Sequence, residues 1–176
     1  MVGCGLFAVA MVSLHVMRPD LSPFTRGMSR YAGADTLAVA TAAFLALAGS
    51  SGALAAHLGH THRAAGRALV AAAAGLIAVA ATPIGNAPTP VGVTALHTIG
   101  GLVFYLGTTR AMFTSASDAA DRWTCQAATV ILALFFLGAV GVPGLRRIDG
   151  LLQRMVFVLV VGWMMRAGLR RTALFR

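Results

Sequence analysis

Residues 63–83, RAAGRALVAAAAGLIAVAATP, decide the fold. Two arginines are followed by an unbroken Ala/Val/Leu/Ile/Gly run over 68–81, and Thr82-Pro83 ends it. A helix on the surface of a soluble protein keeps an apolar stripe and a polar face. This run has no polar face at any angle, so hydrocarbon must surround it. The same pattern recurs along the whole chain, with the charged residues between the apolar stretches or at their edges. The composition agrees: 58% of residues are hydrophobic, 11% are charged, and the mean hydropathy is +0.80, too dry for a soluble domain of this length.

A bilayer core about 30 Å thick takes roughly 20 helical residues per crossing. The 176 residues therefore make one domain with room for about six crossings. The pattern predicts spans at about 1–17, 35–56, 68–82, 91–113, 124–142 and 151–169. Barrel strands would alternate apolar and polar over about ten residues, whereas these segments are apolar on all sides. Lipid offers the backbone no hydrogen-bond partners, so each segment must close its own bonds as a helix. The expected fold is an all-α, polytopic integral membrane bundle.

Breaks fall where proline removes a backbone donor: Arg18-Pro19-Asp20, Thr82-Pro83 and Pro143-Gly144. The first connection, 18–34 (RPDLSPFTRGMSRYAGA), is long, and its Phe24, Met28 and Tyr31 suit a segment lying in the headgroup layer. The N-terminus has no charged leader region and is read as a first span, not a signal peptide. That span is short enough to leave an upstream start open.

The formal charge is +9 and all basic residues are Arg. Flanking apolar segments, they suit lipid headgroups, and no nucleic-acid partner is expected. With six spans both termini share a face. That face takes Arg63, Arg67, Arg110, Arg122, Arg166, Arg170, Arg171 and Arg176, against Arg18, Arg26, Arg30, Arg146, Arg147 and Arg154 opposite. The excess predicts a cell-membrane protein with cytoplasmic termini. Cys4 and Cys125 fall on the termini face, where a reducing cytoplasm keeps thiols free.

The polar residues hardest to explain as surface decoration gather on the opposite face. His15 ends the first span. Arg18, Asp20, Ser29, Arg30 and Tyr31 follow, Asp35 opens the second span, Asn86 sits in the third connection, and His97 begins the fourth span. Ionisable groups at membrane depth are expensive and tend to face a cavity. The set predicts a pocket in which His15, Asp20, Asp35 and His97 are catalytic, and Arg18, Ser29, Arg30, Tyr31 and Asn86 bind substrate. In this reading the protein is an integral-membrane enzyme acting on a membrane lipid or isoprenoid, with Asp20 or Asp35 as acid/base, His15 or His97 as partner, and Arg18 or Arg30 clamping an anionic headgroup. The alternative is a non-catalytic subunit or scaffold. The small residues of the second to fourth spans favour close helix contacts, within a homo-oligomer or against a membrane-protein partner. A transporter fits less well, because no internal symmetry is visible and no charge lies near a span's midpoint.

The stretch from His15 to Gly33 resembles the signature of a bacterial membrane family, domain of unknown function 998. Its members look like six-span proteins with a His at the end of the first span. An Arg-Pro-acid-x-x-Pro segment and a Ser-x-Tyr-Ala element follow, here Arg18 to Pro23 and Ser29 to Ala32. A later His after a Pro-containing connection is similar to His97. This chain departs from the pattern at Ile84, Gly85 and Asn86, where the family often carries an acid. The resemblance implies architecture and leaves the activity open.

His57, His60 and His62 are clustered, but no carboxylate or Cys accompanies them, and they are read as a solvated loop with no metal assigned. His15 and His97 are a conceivable pair of axial haem ligands. Both sit near the interface, and no cofactor is assigned. GxSxG, HExxH and P-loop motifs are absent.

Overall fold

The computed structural model describes residues 1–85 and 88–172, with side chains through 170. Six α-helices follow one another: α1 (Val2–Met17), α2 (Leu37–Gly59), α3 (Arg63–Ala81), α4 (Val91–Ser115), α5 (Ala119–Ala139) and α6 (Asp149–Thr172). No strand occurs among the described residues. Five helices, α2 to α6, are long and apolar enough to cross a membrane. With 16 residues, α1 rises only about 24 Å. Its outward side chains Leu6, Val9, Val12 and Val16 are all more than half exposed, a surface that suits lipid and not water.

The helices run up and down. α1 to α4 pack in sequence, and α5 packs chiefly on α6. α6 also touches α1, α2 and α4, so it closes the bundle. Phe157 of α6 is the hub of the core. Its ring lies 5.2 Å from Phe7 of α1, 6.5 Å from Phe44 of α2, 5.4 Å from Phe104 and 5.8 Å from Tyr105 of α4. Met1 packs against Gly168, which puts the two ends of the chain on one face.

Small residues of the third and fourth spans are spent inside the molecule. A Cβ on Gly100 would stand 2.8 Å from the Gly75 carbonyl oxygen, and one on Gly107 2.6 Å from that of Ala68. The backbones of α3 and α4 therefore touch, the contact that substitutes for the hydrophobic drive in lipid.

Two helix ends differ from the pattern-based spans for capping reasons. α5 begins at Ala119, five residues before the expected 124, because the Asp118 carboxylate accepts a hydrogen bond from the Asp121 amide at 2.7 Å. It ends at Ala139, three before the expected 142. There Gly141 takes φ 96°, and the amides of Gly141 and Val142 donate to the Gly138 and Leu137 carbonyls, a Schellman closure. α3 starts at Arg63, so one helical turn carrying Arg63 and Arg67 precedes the apolar run.

Candidate functional site

The first connection is folded onto the face opposite the termini. Met28 and Tyr31 are almost fully buried, and only Phe24 of the three expected interfacial residues is exposed. The connection is sewn to the start of α6. The Leu151 amide donates to the Phe24 carbonyl at 3.1 Å, and the Met28 amide to Gln153 Oε1 at 2.6 Å. Gly150 is required here, because a Cβ would meet the Arg26 and Phe24 carbonyl oxygens at 2.6 and 2.9 Å.

Arg154 organises this rim. Its Nε donates to His15 Nε2 at 2.9 Å, Nη1 to the Arg26 and Gly150 carbonyls at 2.9 and 2.7 Å, and Nη2 to the Tyr31 hydroxyl at 3.2 Å. Tyr31 in turn donates to the Leu21 carbonyl at 3.1 Å. His15 bonds the Met11 carbonyl through Nδ1. A carbonyl only accepts, so Nδ1 carries the proton and Nε2 the lone pair that receives Arg154. Both ring nitrogens of His15 are thereby occupied by protein.

Beside this cluster lies a cavity of about 440 Å³ in the same half of the bundle. Phe44, Phe104, Phe135, Phe136 and Phe157 form its apolar wall, and Ser29, His97, Tyr105 and Gln153 contribute polar groups. The wall also includes Thr98 and Leu102 of α4, Ala139 of α5 and Val140 just after it, all exposed, so the cavity opens sideways between α4 and α5. Tyr105 shares the cavity wall with Gln153, the side chain that holds Met28. His97 is buried, and its Nδ1 donates to the Thr82 carbonyl at 2.7 Å, with the Val79 carbonyl as a second partner. It thus satisfies the last turn of α3 from a neighbouring helix.

The structure divides the expected residues into groups. His15 and Tyr31 meet at Arg154, with ring centroids 4.8 Å apart. Ser29 and His97 line the cavity. Arg30 reaches the Gly85 carbonyl at 2.8 Å, tying the first connection to the third. Arg18 and Asp20 form an exposed pair at 2.6 Å, and the guanidinium holds the Asp20 carboxyl below the usual carboxylate range. Asp35 is exposed at the mouth of α2, and neither aspartate lines the cavity. Asn86 lies outside the described residues.

Sequence reasoning gave Gln153 no role and counted Arg154 only among the arginines of this face. Two polar residues side by side in the first turns of a span were the available signal. It also missed a network on the termini face. The buried Asp121 accepts from Arg166, from Arg170 Nη1 at 2.7 Å and from Ser117 Oγ at 3.0 Å, while Asp118 pairs with Arg170 Nη2 at 2.6 Å. Among the described residues no three His, Cys, Asp or Glu side chains converge as a metal site. Cys4 and Cys125 are buried free thiols.

Fold and rim together define a polytopic helical membrane protein with a cavity that opens to one side. The family profile described as "Protein of unknown function (DUF998)" matches residues 1–170, and the chain belongs to that family. No curated protein and no solved structure matches it.

Proposed function

We propose that this protein binds the hydrocarbon part of a membrane amphiphile, a lipid or an isoprenoid, in the cavity between α4 and α5. The observation that carries this reading is the geometry of the cavity. It is aromatic-walled, opens sideways at membrane depth, and bears polar groups on the side of the first connection. Its volume lies within the range of small-molecule sites, about 300–1,000 Å³. An amphiphile entering from lipid would insert its chain among the phenylalanines and leave its head near Ser29, His97 and Gln153. His97 supplies the acid/base group of this site, because Asp20 and Asp35 stand outside it and His15 is committed to Arg154.

The test is photo-crosslinking in lipid nanodiscs with a diazirine-bearing single-chain lipid, followed by peptide mapping. Labelling is expected on 98–105 and 135–140. Gly101 lines the cavity, and a Cβ there meets nothing within 4 Å. Gly101→Phe should therefore fill the cavity without displacing a helix and abolish that labelling. Labelling spread evenly over all lipid-facing helices, unchanged in Gly101→Phe, would refute the site.

A further inference from the structure

The charge of the ligand's head can be read from the same cavity, an argument that rests on the amphiphile site just proposed. Every polar group on the wall is neutral or a histidine: the hydroxyls of Ser29, Thr98 and Tyr105, the amide of Gln153 and the imidazole of His97. No arginine among the described residues lines it. Of the guanidinia on this face, Arg18 pairs with Asp20, while Arg154 donates to His15, Tyr31 and two carbonyls and Arg30 to the Gly85 carbonyl, all outside the cavity wall. His97 turns a ring N–H to backbone carbonyls of α3. A phosphate or diphosphate placed here would lose its hydration and meet no guanidinium donor on the cavity wall. A hydroxyl or carbonyl head would find donors and acceptors of matching strength.

Ser29 is the group most open to a ligand. It lines the cavity, and its hydroxyl has no hydrogen bond among the described contacts of the protein. The volume of about 440 Å³ lies in the lower part of the range of small-molecule sites, about 300–1,000 Å³, which suits one chain better than the two of a phospholipid.

We infer that the α4–α5 cavity selects a single-chain amphiphile with an uncharged hydrogen-bonding head, such as a prenyl or fatty alcohol, and rejects its phosphorylated form. This reverses the expectation from sequence that Arg18 or Arg30 would clamp an anionic headgroup.

The experiment uses the full chain in phosphatidylcholine nanodiscs and measures displacement of the crosslinking probe by farnesol and by farnesyl diphosphate. Farnesol should compete at least tenfold better. Ser29→Ala should weaken farnesol about fivefold, the loss of one neutral hydrogen bond, without changing the diphosphate. Diphosphate competing as well as or better than farnesol, in a manner abolished by Gly101→Phe, would overturn the neutral-head inference and leave the amphiphile site standing. Failure of both competitors, with probe labelling insensitive to Gly101→Phe, would overturn the site itself and the inference with it.

Discussion

Adjacent glycines in α4 should respond to the same substitution in opposite ways. Gly100 faces α3. A Cβ there would lie 2.8 Å from the Gly75 carbonyl oxygen, 2.9 Å from Ala78 Cβ and 3.2 Å from the Val79 amide nitrogen. Two of these neighbours are backbone, so Gly100→Ala forces α3 and α4 apart by about half an ångström. Overpacking of this kind costs about 1–3 kcal/mol. Gly101 points a hundred degrees away, into the cavity, where a Cβ meets nothing within 4 Å. Gly101→Ala keeps every contact and removes the helix penalty of glycine, a gain of up to about 1 kcal/mol. For a chain of this size, 1 kcal/mol moves the melting midpoint by about 2–4 °C. Gly100→Ala should therefore melt about 2–12 °C lower and Gly101→Ala up to about 4 °C higher, read by the loss of monodisperse protein after heating in mild detergent. Equal shifts of the same sign would mean that the α3–α4 contact is not as close as described, and Gly100→Ala melting higher than the parent would refute it outright.

Other outcomes follow from the two polar networks. His15→Leu removes the acceptor of Arg154 Nε and leaves a half-buried N–H unpaired, a cost of about 1–3 kcal/mol; His15→Gln should recover part of it, and a melt that distinguishes neither variant from the parent would count against the Arg154 hub. Asp121→Asn leaves Arg166 and Arg170 without their buried anion. Because both arginines are about a third exposed, the expected loss is about 1–3 kcal/mol, below that of a fully buried pair, and it should appear as a lower melting midpoint. Asp20 behaves differently. Its folded carboxyl is held low by Arg18, so its contribution is present above the unfolded value near 3.9 and is lost only as pH falls through the folded one. Melting curves of the parent and Asp20→Asn should coincide from pH 5 to 8, since an exposed pair is screened by water.

The architecture could be read from the chain because lipid permits so few solutions. A segment such as 68–81 with no polar face must be a helix in hydrocarbon, and Thr82-Pro83 must end it. The shared depth of His15 and His97 was likewise legible, since it needs only the alternation of crossings. What was not legible is rotation about each helix axis. Spans that are apolar all round give no stripe to orient, so nothing indicated that Phe157 would face Phe7, Phe44 and Phe104, or that α4 and α5 would part enough to leave a cavity. That Asp20 and Asp35 stay off the cavity wall was not legible for a related reason. The alternation of crossings puts Asp20, Asp35 and His97 on one face, but the face alone does not decide whether a side chain points into a bundle or out to water. The partners of Gln153 and Arg154 lie 125 and 139 residues away in Met28 and His15, a distance no local pattern spans.

The seam between the first connection and the beginning of α6 has a consequence for biosynthesis. Ser29 leaves the ribosome with the first pair of helices, but its neighbour in the cavity, Gln153, arrives only with the sixth. Nascent chains carrying five helices hold a half-built cavity and a first connection that has Arg30 on the Gly85 carbonyl but lacks its bonds to Leu151, Gln153 and Arg154. The last helix inserted both completes the cavity and latches the earliest loop, so intermediates halted before it should be more open to proteases cutting between residues 18 and 34 than the full chain.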